Sequence, residues 1–132
     1  MNKLISLAAA TYAGIGVVSF LRPEMVPALF GGTAPTADAR TEIRAVYGGL
    51  PLAIAGTLVV RPSSAAAMGV VSAGMAAGRA ASVAVEGEEP SGMTKLWLGI
   101  EAGLAAVLFA GAAGRGVRRA AGRAAGRVRS AG

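Results

Sequence analysis

The chain has 132 residues, of which 54% are hydrophobic and 15% are charged. A water-facing domain of this length needs a larger share of polar residues to cover its surface, so the composition indicates a membrane protein. With no cysteine and no histidine, the chain lacks the ligands and nucleophiles for disulfides, Ser-His-Asp catalysis, and zinc, haem or iron–sulfur sites. We therefore expect neither a metal nor a cofactor to be held by this chain.

Four apolar runs are each close to the roughly 20 residues with which a helix crosses a bilayer. They cover residues 4–21, 43–60, 63–85 and 96–113. The sequence thus predicts an all-α fold, an integral membrane four-helix bundle formed by residues 1–114, with a basic tail at 115–132. Pro51 lies inside the second run, and we expect it to kink that helix because it lacks a backbone donor.

The first run permits a second interpretation, since residues 1–20 also contain a lysine followed by an apolar stretch, as in a cleaved signal peptide. The run is long for such a core, and no small-x-small cleavage site follows it closely. We therefore interpret it as the first membrane span.

Basic residues predict the orientation of the spans, because they concentrate on the cytoplasmic side. Lys3, Arg61 and the tail fall at one end of the spans. Three glutamates in the segment 85–95 fall at the other end, together with the longer loop 22–40, whose charges balance. Both termini are therefore expected in the cytoplasm of a bacterium, with the protein in its cytoplasmic membrane.

Small residues recur four apart in all four runs, which lets helix backbones approach closely where water cannot drive association. The pairs are Ala10 and Gly14, Ala45 and Gly49, Gly74 and Gly78, and Gly99 and Gly103. Gly48, beside the second pair, is assigned to helix packing as well. The alternative is that alanine and glycine are abundant enough here to produce such pairs by chance.

Charged residues collect near the outer ends of three spans. Glu42 and Arg44 begin the second span, while Arg79 and Glu101 each lie about 8–9 Å inside the third and fourth spans. An unpaired charge at the centre of a membrane helix costs about 2.5–3.5 kcal/mol, so we expect Arg79 to pair with Glu101. We expect Glu42 and Arg44 to extend that pair into a network.

Helical spacing places the hydroxyl groups of Tyr47 and Ser82 on the helix faces that carry these charges. Met75 and Trp97 fall on the same faces. The predicted cluster consists of Glu42, Arg44, Tyr47, Arg79, Ser82 and Glu101. One interpretation is a structural lock that sets helix register. The other is a binding site in which the arginines contact an anion, the glutamates orient the arginines, and the tyrosine and serine donate hydrogen bonds.

The segment between the first two spans is too apolar to lie free in water. Met25, Val26, Leu29 and Phe30 predict a short interfacial helix after a proline, ended by two glycines. This helix either caps the polar cluster or simply re-enters the interface without a gating role.

The tail carries six arginines and no acidic residue, and the rest of the chain has seven basic and seven acidic residues. On a helical wheel the tail arginines share one half: Arg115, Arg118, Arg119, Arg123, Arg127 and Arg129. Each is expected to add about 1 kcal/mol of attraction to anionic lipid. Since no aromatic or groove-reading element accompanies them, we expect lipid rather than nucleic acid as the partner.

The chain resembles a bacterial membrane family catalogued as domain of unknown function 4345 over roughly residues 4–112. The resemblance rests on E-x-R-x-x-Y-G-G from Glu42, G-R-x-x-S from Gly78 and the glutamate at 101, with "RPEMVPALFG" before them. It implies a four-helix integral membrane protein and assigns no activity. The layout is also similar to that of DoxX-like membrane proteins, some of which are associated with quinone-linked redox chemistry.

These observations favour a non-enzymatic membrane protein whose polar cluster binds a lipid headgroup or small polar ligand, or which serves as an accessory subunit. The alternative is a redox or quinone-linked enzyme subunit in which Glu101 carries a proton and the cofactor comes from elsewhere. A small transporter would need more than four spans, hence a homodimer or another membrane-protein partner.

Overall fold

The computed structural model describes residues 2–130, and the side chains of residues 2–117. The described residues form helices and no strand, so the predicted all-α class is confirmed. In chain order the elements are α1 Lys3–Leu21, α2 Met25–Ala28, α3 Ala37–Ile43, a π-helical segment Arg44–Gly49, α4 Leu50–Val60, a 3₁₀ turn Pro62–Ser64, α5 Ala65–Glu86 and α6 Gly92–Ser130.

Four stretches are long and apolar enough to cross a membrane, and they contain the four predicted runs. They are Lys3–Leu21, Ala37–Val60, Pro62–Glu86 and Gly92–Val117. Only 11% of the apolar window in the third stretch is buried within the chain. Much of its surface is therefore not covered by the rest of the chain, as expected for a helix whose surroundings are themselves apolar.

Side-chain caps explain where two of these stretches begin. Asn2 Oδ1 accepts the Ile5 amide at 2.9 Å at the start of α1, and Thr36 Oγ1 accepts the Ala39 amide at 3.1 Å at the start of α3. Each cap satisfies an amide that has no partner within its helix. The Thr36 cap starts the second stretch earlier than the predicted residue 43.

A π-helical turn separates α3 from α4, and hydrophobic periodicity gave no sign of it. Its hydrogen bonding is seen at Leu50, whose amide donates to Ala45 O, five residues back. Pro51 follows at once; as it has no amide hydrogen and its ring crowds the preceding turn, it cannot join a regular α-helical ladder. The irregularity expected at Pro51 thus takes the form of a wider turn before it.

The long helices pack in the order α4, α1, α6, α5. α1 packs on α4 and the π-helical segment, α6 packs on both α1 and α5, and α4 contacts α5 only slightly although the two are consecutive. The fully buried side chains Ile5, Leu58 and Leu108 belong to one core, at the end of the molecule where α1 begins and α4 ends. The core therefore fills one end of the molecule, and the slight α4–α5 contact leaves space at the other.

A close helix approach occurs where α1 crosses the π-helical segment. A Cβ added at Gly16 would lie 2.9 Å from Gly48 O, and one added at Gly48 would lie 3.2 Å from Phe20 Cα. A side chain at Gly16 would collide with a backbone atom and one at Gly48 would be tightly crowded, so glycine allows this crossing.

The other predicted packing glycines behave differently. A Cβ added at Gly49 would make only ordinary contact, 3.7 Å from Arg44 O in its own segment. At Gly74, Gly78, Gly99 and Gly103, an added Cβ would have no heavy atom within 4 Å. The close approach expected at these four glycines is therefore absent among the described residues. These glycines are exposed, so no partner helix covers the faces on which they lie. The four-residue spacing did not reveal this, because it is the same on a covered and on an uncovered face.

Candidate functional site

A cavity of about 840 Å³ lies between α4 and α5, backed by α1 and α6. This volume lies within the range of small-molecule sites in proteins, roughly 300–1,000 Å³. Most of its wall is apolar, with contributions from Val46, Leu50, Ile54, Met75, Val83, Ile100 and Leu104. Gly74 and Gly78, which pack against no helix, also line it, so the missing side chains on α5 help to form the space.

One ion pair lies in this apolar wall. Arg79 Nε donates to Glu101 Oε2 at 3.0 Å and Arg79 Nη2 donates to Glu101 Oε1 at 2.7 Å. The Glu101 side chain is 9% exposed and that of Arg79 is 26% exposed. The pairing predicted from the depth of the two residues is present, in the two-pronged geometry that suits guanidinium and carboxylate.

The segment after α1 covers this pair. Met25, Val26, Leu29 and Phe30 all line the cavity, and the Phe30 ring centroid lies 5.7 Å from Arg79 Cζ, within the range of a cation–π contact. The geometry matches the capping alternative for this segment. Gly31, at φ 76°, reverses the chain after Phe30 in a conformation that favours glycine.

Two predicted hydroxyls reach the same space. Tyr47, from the π-helical segment, and Ser82, from α5, both line the cavity, as do Met75 and Trp97. Tyr47 is 47% exposed. The structure therefore brings together four of the six residues of the predicted cluster, namely Tyr47, Arg79, Ser82 and Glu101.

Glu42 and Arg44 do not join them. Arg44 Nε donates to Phe20 O at 3.1 Å, a carbonyl in the last turn of α1 where helical partners run out. Glu42 is exposed and forms no ion pair with another described residue. The predicted network of four charges is thus corrected to a pair, because the nearer unsatisfied carbonyl of α1 takes Arg44.

A second polar contact was not predicted. Tyr12 on α1 is 2% exposed, and its hydroxyl lies 2.5 Å from Ser72 Oγ on α5. Tyr12 also lines the cavity. The sequence showed that Tyr12 and Ser72 are polar residues inside apolar runs. It did not show that their helices face each other at this position.

The tail arginines fall largely beyond the described side chains. Arg115 is half-buried on α6. The lipid-contact prediction for Arg118, Arg119, Arg123, Arg127 and Arg129 lies outside the residues whose side chains the structure describes. In the described part of the chain, no group of three or more acidic residues is placed to hold a metal ion.

The fold and the cavity define an all-helical protein with four helices long and apolar enough to cross a membrane, and with one ion pair in an apolar internal wall. The chain belongs to the family described as domain of unknown function (DUF4345), which matches residues 1–112. The expected resemblance is thereby confirmed. No curated protein and no solved structure matches the chain.

Proposed function

We propose that this chain is a multi-pass protein of a bacterial cytoplasmic membrane that binds a lipid or another small amphiphile in the cavity between α4 and α5. The observation that carries the proposal is an apolar cavity of about 840 Å³ with a paired Arg79 and Glu101 in its wall. Apolar walls with a few convergent polar groups are typical of small-molecule sites.

A structural lock would account for the ion pair alone, since buried pairs can set helix register. It would not account for the space beside the pair or for the hydroxyls of Tyr47 and Ser82 at the same space. Nor does a lock require Gly78, one residue before Arg79, to leave the cavity open. These features support a binding site.

The predicted orientation fits this proposal. Asn2 Nδ2 donates to Gly111 O at 2.8 Å, so the start of α1 lies beside the part of α6 that leads into the basic tail. Lys3, Arg61 and the tail are expected on the cytoplasmic side by the distribution of basic residues. The end of the cavity at Arg79 would then lie in the outer half of the membrane.

Native mass spectrometry on detergent-purified protein tests the proposal. We expect a defined adduct on the wild type and its loss from Gly78→Phe, which places a ring in the cavity. The matched control is Gly99→Phe, where the added ring projects into open space outside the cavity. Retention of every adduct by a folded Gly78→Phe variant would contradict binding in this cavity.

The mass of the adduct also decides between a simple lipid-binding or accessory role and the quinone-linked alternative. A quinone mass, with quinone reduction that fails in Glu101→Gln, would favour the redox subunit. A lipid mass without any chromophore would favour the leading proposal.

A further inference from the structure

The formal charge of the cavity wall limits what it can hold. Four of its lining residues carry titratable side chains, one each from α1, the π-helical segment, α5 and α6: Tyr12, Tyr47, Arg79 and Glu101. The tyrosines contribute neutral hydroxyl groups, and the charges of the arginine and the glutamate cancel in their ion pair. The lining contributed by α2, α4 and the α2–α3 loop carries no titratable group. The wall is therefore electrically neutral.

A ligand bearing a net charge would meet no counter-ion in this wall. Charge buried in an apolar site is costly unless it is paired, and Arg79, the cation of the wall, is already neutralised through two hydrogen bonds. An anion placed beside Arg79 would also lie close to the Glu101 carboxylate. An uncharged headgroup avoids both costs.

The hydrogen-bonding capacity that remains is mixed. A guanidinium has five N–H donors, of which Glu101 takes two, and each carboxylate oxygen keeps a further lone pair. Tyr47 and Ser82 add hydroxyls that both donate and accept. Hydroxyl, carbonyl or amide groups match such a set, whereas a phosphate or carboxylate could use only the donors.

Away from the pair the cavity becomes apolar. Ile54, Met75 and Leu104 line it, and Tyr12 lies beyond them with its hydroxyl engaged with Ser72. α4 and α5 contact each other only slightly, so a hydrocarbon chain would enter between these two helices. Hydrocarbon is the chemistry that this part of the wall accommodates.

We propose that the occupant is a bilayer amphiphile with an uncharged hydroxyl- or carbonyl-bearing headgroup at Arg79 and Glu101, and with its hydrocarbon chain directed toward Tyr12. This inference rests on the proposed function. Of the two expected ligand classes, anionic or polar, it favours the uncharged polar one, because the arginine that would attract an anion is already neutralised.

Binding of two single-chain probes with the same acyl chain tests the inference. A monoacylglycerol is uncharged, and a lysophosphatidic acid carries a phosphate. We expect wild-type protein in detergent at pH 7.5 to bind the monoacylglycerol about tenfold more tightly by native mass spectrometry and microscale thermophoresis. Glu101→Gln leaves Arg79 unneutralised, so we expect the preference to shift by about tenfold toward lysophosphatidic acid.

Two further variants keep the test decisive. Glu42→Gln removes an exposed carboxylate outside the cavity and should leave the preference unchanged. If Glu101→Gln fails to fold, the double variant Arg79→Gln with Glu101→Gln restores a neutral wall. It should keep the wild-type preference for the monoacylglycerol.

The outcomes separate the inference from the proposed function. Tighter binding of lysophosphatidic acid by the wild type, lost in Gly78→Phe, would overturn the uncharged headgroup while leaving the cavity a binding site. An unchanged preference in a folded Glu101→Gln variant, or an anionic preference in the double variant, would overturn the role of the pair. If neither probe binds, or if Gly78→Phe binds both normally, the proposed function fails.

Discussion

The Tyr12 hydroxyl donates a hydrogen bond to Ser72 Oγ across 2.5 Å, joining α1 to α5, two helices that otherwise make few contacts. The direction is set by Ser72, whose single hydrogen goes to Met68 O at 2.9 Å. This contact holds one wall of the cavity against the other. Tyr12 belongs to the same buried core as Ala8, Ala9 and Leu108, and Ser72 is itself fully buried.

We expect Tyr12→Phe to lower the free energy of unfolding by about 1 kcal/mol, the typical strength of a hydrogen bond between helices in an apolar medium. The measurement is unfolding in mixed detergent micelles followed by circular dichroism. Tyr47→Phe removes a hydroxyl from a half-exposed tyrosine and serves as the matched control. Equal effects of the two substitutions would count against a special role for the Tyr12–Ser72 bond.

Breaking the ion pair on one side should be more costly than removing it altogether. We expect Arg79→Gln to cost about 2 kcal/mol, less than the roughly 3–5 kcal/mol for a fully buried pair, since Arg79 is partly exposed. The reason is that Glu101 remains buried without its partner. Adding Glu101→Gln to Arg79→Gln should recover most of that loss in the same unfolding assay. A double variant less stable than the single one would show that Glu101 stabilises the fold through contacts other than its pair with Arg79, and would contradict this prediction.

Alanine substitutions at two glycines of α1 should differ in their effect on stability, because one glycine is closely packed and the other is not. Gly16→Ala places a Cβ 2.9 Å from Gly48 O and 3.0 Å from the Leu52 amide nitrogen, so the backbones must separate at a cost of about 1–3 kcal/mol. Gly14→Ala meets nothing within 4 Å and should be neutral or slightly stabilising, because alanine favours helix. Thermal midpoints of the two variants measure the difference. Equal midpoints would contradict the close crossing of α1 and the π-helical segment.

The absence of cysteine in the sequence makes the orientation easy to measure. With both termini cytoplasmic, Glu88→Cys in the loop after α5 should react with a membrane-impermeant maleimide on intact cells. Arg115→Cys should react only after the cells are permeabilised. The reverse pattern would invert the proposed topology, and labelling of both sites in intact cells would contradict a four-span arrangement.

One carboxylate outside the apolar stretches has a shifted pKa. A hydrogen bond from Lys95, together with the charge of that ammonium, lowers the pKa of Glu89 below its ordinary value. Because the folded-state pKa is lowered, the stabilisation from this pair is present above the unfolded-state pKa and is lost as the pH falls through the folded-state pKa. Since both side chains are exposed, we expect little effect on overall stability.

Nuclear magnetic resonance titration of the Glu89 side-chain carboxyl checks this prediction. The midpoint should lie below that of an unpaired glutamate and should rise toward the ordinary value in Lys95→Gln. A Glu89 midpoint unchanged by Lys95→Gln would show that the pair does not persist in solution.

The local sequence determined much of the fold. The helices and their approximate bounds follow from the length of apolar runs, which depends only on residues close in the chain. The pairing of Arg79 with Glu101 follows from their similar depth along two consecutive helices. Because an isolated charge in an apolar medium is costly, Arg79 needed an acidic partner at a similar depth, and few residues meet that condition. The motif around Glu42 likewise sufficed to indicate the family.

Only the tertiary structure decided which faces meet. Arg44 turns to the end of α1 instead of Arg79, and Tyr12 bonds Ser72 across the molecule. The glycines at 74 and 78 face a cavity rather than a helix. Each of these outcomes depends on the rotation of one helix relative to another and on the π-helical turn that changes that rotation. Periodicity along a single helix carries no information about either, because it is the same whichever neighbour the helix meets.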